Sequence, residues 1–416
     1  MAKAVVIAAP SSGSGKTVVT LALLRALARN GVPVASAKVG PDYIDPRFHA
    51  AATGRPCYNL DQWAMRPATV AGHMATLSRG ADLIVIEGVM GLFDGPETGK
   101  GSTADLAISL GLPVILVVDC SHQAQSIAAL VSGFAAFDGD LNLAGVILNR
   151  VSSPRHTELL TGALTRIGIE VVGAVPRVDN LALPSRHLGL VQAGEHPELD
   201  GFLDQAAGIL EGAVDLDVLQ NLAATAAGTP SSGSPLPPIG QRIAVADDEA
   251  FGFAYPHLLA GWRHAGAEVT PFSPLANEGP GDDADAVFLP GGYPELHGLQ
   301  LSTNAGFLSG LRNAARRDAL IYGECGGYMV LGDYIIDKDG ERHAMAGLLP
   351  LGTSFQQRKL QLGYRHLKPH GPLPLAAELR GHEFHFSTVD WQGEAEALFE
   401  AADTAERPLG ACGMRV

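Results

Sequence analysis

The stretch Ala9–Thr17, APSSGSGKT, follows the apolar run AVVIAAP and opens VVTLALLRALARNG, which has helical spacing and ends on glycine. A glycine-bearing loop between a buried strand and a helix lets backbone N–H groups converge on phosphates, here around Gly13 and Gly15. Lys16 is then placed to reach the outer phosphates, and the Thr17 hydroxyl to ligate Mg²⁺. Pro10 stands where the strict pattern has its first glycine. The plain alternative is an ordinary strand-to-helix turn. The strand-loop-helix context favours a nucleotide.

The same rhythm continues through VPVASAKVG, DLIVIEGV, PVILVVD, LAGVILN and VVGAVP, with longer alanine- and leucine-rich stretches between them. Continuous apolar strands alternating with helices predict a parallel sheet covered on both faces. From Ala223 the chain turns small, polar and proline-rich, AATAAGTPSSGSPLPPIG, which is linker composition. At Arg242 the rhythm restarts with RIAVADD, AEVTPFSP, DAVFLPGG and ALIYGEC. With 416 residues, two α/β domains are expected, 1–222 and 241–416, joined by a linker at 223–240.

Three acidic places fall at or beyond strand ends, where such sheets bind ligands. They are Asp42 and Asp45 in KVGPDYIDP, Glu87 in LIVIEGV, and Asp94 in MGLFDG. Asp42 and Glu87, with Thr17, are the expected Mg²⁺ ligands for bound ATP. The alternative for each is a solvated loop carboxylate or a helix cap. Asn149 in GVILNR ends a strand on an amide that could pair with the adenine edge, or serve as a turn asparagine. The segment from Lys38 to Arg66 gathers Lys38, Arg47, Arg55 and Arg66 among aromatics. Guanidinium forks suit carboxylates and flat rings, so a polyanionic, partly flat substrate is expected there. A long loop with solvated arginines is the alternative.

Charge narrows the partners. With 29 Lys+Arg against 44 Asp+Glu, the formal charge is −15, the wrong sign for a non-specific nucleic-acid or anionic-membrane binder. No apolar stretch is long enough to span a bilayer, and the N-terminus shows no signal-peptide pattern. The four cysteines, Cys57, Cys120, Cys325 and Cys412, form no CxxC or zinc spacing, so a reduced, cytoplasmic setting is expected.

Cys325 differs from the other three. It ends an apolar strand in YGECGGYM, with Gly323, Gly326 and Gly327 leaving its side chain clear. Gly291 and Gly292 in LPGGYPE, with Gly326, offer N–H groups for an oxyanion, and the following helix N-terminus is expected to lower the thiol pKa. Thioester chemistry at Cys325 is the reading, against a buried packing cysteine. Cys57, Cys120 and Cys412 are expected to pack.

Taken together, GPDYIDP, MGLFDG, STADLA, GVILNR, LPGGYPE, GECGGYM and GHEFHFS resemble the cobyrinic/hydrogenobyrinic acid a,c-diamide synthase family. That resemblance implies an α/β chain with a P-loop NTPase-type parallel sheet domain, similar to the dethiobiotin-synthetase-like ATPases. A class I glutamine amidotransferase domain with a flavodoxin-like sheet would follow. It implies that glutamine is hydrolysed at Cys325 and that ATP activates the a and c acetate carboxylates of a corrin macrocycle. Ammonia would then displace phosphate, with Mg²⁺ as cofactor and a homodimer allowed. Lys16, Thr17, Asp42, Asp45, Glu87 and Asp94 fall on its nucleotide and substrate-activating motifs, and Lys38, Asp45, Arg47 and Asp94 on the expected substrate side. The family usually supplies a histidine for its cysteine in a C-terminal Ser-aromatic-x-His motif. None occurs up to Val416, which leaves His297, His382 and His385 as candidates. The rivals are a Ni-sirohydrochlorin a,c-diamide synthase and, from another class, a ParA/MinD-like switch ATPase.

Overall fold

The computed structural model describes residues 2–178, 181, 183–186, 189–227, 236–371 and 378–416. The chain falls into two compact units, Met1–Gly233 and Ser234–Val416.

The first unit is built on seven parallel strands: β1 (Lys3–Ala8), β2 (Val34–Val39), β3 (Tyr58–Leu60), β4 (Leu83–Glu87), β5 (Val114–Asp119), β6 (Leu143–Val151) and β7 (Val171–Pro176). Their order is β3-β2-β4-β1-β5-β6-β7. The apolar runs read as strands are these strands, and Ala4–Ala8 and Ile84–Ile86 are almost wholly buried. Burial on both faces is why they lack alternation. Helix α1 (Lys16–Arg29) begins directly after the loop that leaves β1. In the sheet β1 lies between β4 and β5, so the chain passes to one side after β1 and to the other later. The loop carrying Gly13 and Gly15 therefore sits where the strand order reverses, the usual ligand crevice of open α/β sheets. Helix α2 (Asp45–Thr53) follows β2 and α3 (Pro67–Leu77) follows β3.

A two-residue pair, β8 (Ser185–Arg186) and β9 (Gly189–Leu190), comes late in the unit. Part of the expected linker is not linker. β10 (Ala224–Thr225) pairs antiparallel with β1 at Lys3 and Ala4, and the Ala227 N–H donates to Leu110 O. Strand β5 pairs β1 only from Val6 onward, so the first two residues of β1 have an open edge that β10 fills. Residues 228–235 of the expected linker lie outside the described residues.

The second unit has a parallel sheet ordered β12-β11-β13-β14, from β11 (Arg242–Ala246), β12 (Glu268–Phe272), β13 (Ala286–Leu289) and β14 (Leu320–Gly323). The chain then makes two further four-stranded sheets, mostly antiparallel, from Tyr334 to Arg415. Among the described residues no helix is long and apolar enough to cross a membrane.

Candidate active sites

The phosphate loop is shaped by two left-handed glycines, Gly13 at φ +84° and Gly15 at φ +86°. At Gly15 a side chain is excluded twice over, because its Cβ would overlap the amide nitrogen of Asn149. That nitrogen donates to Ser14 O at 2.8 Å, and Asn149 Oδ1 accepts the Arg150 N–H at 3.0 Å. The Asn149 amide thus helps hold the phosphate loop, a partner that a strand-end asparagine alone does not reveal.

Lys16 is buried, and its Nζ donates to Gly88 O. Burial, followed by the charge of Lys38, lowers its pKa to about 8. The Thr17 hydroxyl donates to Glu87 Oε1 at 2.7 Å. Glu87 is 0% exposed, yet it stays charged. Burial pushes its carboxyl upward, but Lys38, His49 and Lys16 outweigh that and hold it well below the usual carboxylate range.

Lys38, at the end of β2, is 2% exposed. Its Nζ lies 2.6 Å from Asp45, 3.0 Å from Glu87 and 3.9 Å from Asp42, and donates to Gly88 O at 3.2 Å. Burial would strip its proton; the three carboxylates keep it on. Asp45, at the start of α2, is raised to about 6, first by burial and then by Asp42. Asp42 uses Oδ1 to accept the N–H groups of Ile44 (2.9 Å) and Asp45 (3.0 Å), fixing the entry to α2. The expected substrate contacts Lys38 and Asp45 are thus locked to one another inside the cluster. In the low dielectric of the interior, a lysine among three carboxylates satisfies them before any ligand arrives.

Of the other residues of the basic segment, Arg55 donates to Gly80 O (2.7 Å) and Arg79 O (2.8 Å), a structural use. Arg66 is exposed at the N-cap of α3, and Arg47 is half-buried on α2. Asp94 is exposed and accepts the Gly91 N–H at 2.9 Å.

Sequence reading missed His49. It is fully buried on α2, its Nε2 2.6 Å from Glu87 Oε2 and its Nδ1 3.5 Å from the Cys57 sulfur. Burial pulls its pKa down, but Cys57 and Glu87 prevail and raise it to about 10. The available signal was its spacing: four residues after Asp45, it falls on the same face of α2. Among the described residues no group of three His, Cys, Asp or Glu side chains could hold a metal by itself. The donors beside Lys16 are hard oxygens, which suits Mg²⁺ bound largely through nucleotide phosphates.

In the second unit, Cys325 stands between β14 and the helix Gly326–Leu331 at φ +47°, ψ −110°, a backbone conformation rare for any residue with a side chain. Its neighbours tolerate nothing larger than glycine. A Cβ at Gly327 would overlap Leu289 O, and one at Gly326 would lie 2.8 Å from Pro294 Cδ. The Gly292 and Gly326 N–H groups are hydrogen-bonded to the thiol, and Gly291 lies against the Cys325 Cβ. The expected oxyanion donors are therefore gathered around the sulfur.

The thiol pKa runs opposite to expectation. Desolvation by the surrounding protein, then the charge of Glu295, push the Cys325 thiol up to about 11. A six-residue helix and two amides do not overcome two nearby carboxyls, Glu295 and Glu324. His385 is engaged elsewhere, with Ser387 Oγ at 3.2 Å and Glu383 at 3.6 Å.

A nucleotide-type loop backed by a buried ion cluster, on one chain with a strained cysteine elbow ringed by amides, defines a two-unit glutamine-dependent ligase. Residues 5–191 match the model of the CobQ/CobB/MinD/ParA nucleotide binding domain, and residues 242–414 that of the CobB/CobQ-like glutamine amidotransferase domain. Over 100% of its length the chain is 54% identical to hydrogenobyrinate a,c-diamide synthase of Brucella suis, covering 96% of that protein. It is 52% identical to the protein of that name from Sinorhizobium sp. over 98% of this chain and 95% of the other, and 49% identical to that of Mesorhizobium japonicum over 100% and 96%. The chain belongs to the hydrogenobyrinate a,c-diamide synthase family.

Proposed function

We propose that this chain uses ATP and glutamine to amidate the a and c acetate carboxylates of a corrin macrocycle, hydrogenobyrinate or cobyrinate, in cobalamin biosynthesis. The observation that carries the reading is the pairing, on one chain, of the Lys16–Thr17–Glu87–Lys38 cluster with the amide-ringed Cys325. The relatives' names supply the ring. They favour a corrin over Ni-sirohydrochlorin, and the second unit would be idle in a switch ATPase.

At the second site the Cys325 thiolate attacks the glutamine side-chain carbonyl. The oxyanion is held by the N–H groups of Gly292 and Gly326, with Gly291 giving room; the amide nitrogen takes a proton from solvent as the oxyanion collapses, and the C–N bond breaks with its electrons on nitrogen to leave a γ-glutamyl thioester and ammonia. Water then releases glutamate. At the first site a substrate carboxylate oxygen attacks the γ-phosphorus of ATP, and ADP leaves. Ammonia attacks the acyl phosphate, phosphate departs with the C–O electrons, and the amide loses its extra proton to solvent. A carboxylate is a poor electrophile, and phosphorylation supplies the leaving group.

The loop amides around Gly13 and Gly15 and the ammonium of Lys16 would hold the phosphates, and Lys38 would add positive charge at the same end. Mg²⁺, held by Thr17 with Asp42 and Glu87 nearby, would neutralise charge on the phosphates. Arg47, Arg66 and Asp94 remain the candidates to meet the macrocycle. ATP and glutamine are cytoplasmic metabolites, and the activity is placed there.

The test is mass spectrometry of the macrocycle after incubation with ATP, Mg²⁺ and glutamine. Mono- and diamides of hydrogenobyrinate, dependent on both ATP and glutamine, are expected. Product from Ni-sirohydrochlorin alone, or ADP release indifferent to both glutamine and macrocycle, refutes the reading.

A further inference from the structure

Glu87 has two oxygens and three donors. Oε1 is shared by the Thr17 hydroxyl at 2.7 Å and Lys38 Nζ at 3.0 Å, while Oε2 is 2.6 Å from His49 Nε2. The ring of His49 is held in turn from its other side, with Nδ1 3.5 Å from the sulfur of Cys57. Glu87, His49 and Cys57 are each 0% exposed, so no substrate atom can touch the imidazole. A group that cannot reach the reactants acts through another. Lys38 is already committed to Asp45 and Gly88 O, and Lys16 to Gly88 O, so neither is placed to replace His49 at Oε2.

We propose that His49, steadied by Cys57, is a positioning residue for the ligase site: it pins Oε2 of Glu87 so that Oε1 stays turned to Thr17 and orients that hydroxyl toward the cation–phosphate end of the nucleotide. Without His49, a carboxylate oxygen is left buried with no donor. The carboxylate then turns to share Lys38 or takes up a proton, and either change removes the acceptor that aims the Thr17 hydroxyl. Cys57 thereby gains a function beyond packing. Its sulfur selects the ring orientation that presents Nε2 to Glu87.

The inference rests on the ligase reading above, so its main readout avoids the macrocycle. Binding of ATP to the full chain is titrated by calorimetry at rising Mg²⁺, for His49→Leu, His49→Gln and His49→Asn. The Gln amide nitrogen can stand where Nε2 stands; the Asn amide reaches only the Nδ1 position. His49→Leu and His49→Asn are expected to raise the Mg²⁺ needed for half-saturation about 10- to 100-fold, and His49→Gln to recover most of the loss. In ammonium-driven amidation the kcat falls in the same order, with the KM for macrocycle unchanged. Circular dichroism and the melting curve of the full chain report that each variant is folded. Should His49→Leu not fold, Gln against Asn decides. Equal behaviour of Gln and Asn, or a folded His49→Leu with wild-type Mg²⁺ dependence, overturns the proposal, as does a rise in macrocycle KM at constant kcat. A wild-type chain that binds Mg·ATP normally but does not amidate the corrin refutes the ring assignment and leaves this test standing.

Discussion

Replacing Gly15 with alanine tests the phosphate loop at the atom where its geometry is tightest. Gly15 is held at φ +86°, and the left-handed region costs a residue with a Cβ about 1–2 kcal/mol. The new methyl would overlap the amide nitrogen of Asn149, which must leave Ser14 O. A net hydrogen bond of that kind contributes about 0.5–1.5 kcal/mol. The two add to about 1.5–3.5 kcal/mol against the binding-competent loop, or about a 10- to 300-fold loss of ATP affinity. Calorimetric titration with ATP and Mg²⁺ measures it, with circular dichroism and the melting curve of the full chain as the folding control. The origin of the loss is tested by Asn149→Ala. Alone it forfeits the hydrogen bond to Ser14 O together with the local one from Arg150 N–H, and in its background Gly15→Ala no longer meets the Asn149 amide and adds the φ penalty alone. The double variant should therefore be less impaired than the two single effects summed. A Gly15→Ala chain that binds ATP within threefold of wild type refutes the reasoning, and so does strict additivity.

Cys325→Ser should abolish glutamine-driven amide formation and leave ammonium-driven formation near wild type, because ammonia bypasses the thiol; loss of both would mean that the cysteine serves the fold. Desolvation and then the charge of Glu295 push the thiol pKa up, so the thiolate is the minor form at pH 7. Iodoacetamide labelling of Cys325, followed by peptide mass mapping without glutamine, should climb about tenfold per pH unit from 7 to 9. A plateau below pH 8 contradicts the assignment. Arg66→Ala and Arg47→Ala should each raise the KM for macrocycle several-fold more than that for ATP, and equal effects on both would remove these arginines from the substrate side.

Much of the fold was legible because it depends on local pattern. Buried parallel strands need no polar face, so β1, β4 and β5 stand out as apolar runs with a charged residue only at one end. The phosphate loop is equally local: glycine spacing, Lys16 and Thr17 are consecutive in the chain and declare themselves. The elbow at Cys325 was legible for the same reason, since its small neighbours are adjacent in sequence.

What the sequence left open concerns partners that are distant in the chain. That Lys38 pairs with Glu87 is set only when β2 and β4 lie side by side, and the start of α2 adds Asp45. That Asn149 holds a loop 135 residues earlier emerges only when β6 lies beneath it. Cys57 reads as a packing residue until burial sets its sulfur against His49, whose Nε2 meets Oε2 of Glu87. The thiol pKa is decided the same way, by carboxyls and burial that the order of residues does not contain. Backbone preference and hydrophobic pattern act between near neighbours, and a single chain displays them. Charge pairing and desolvation act through space and depend on the surrounding dielectric, so only the folded sheet, which sets both distance and burial, determines which charged group meets which.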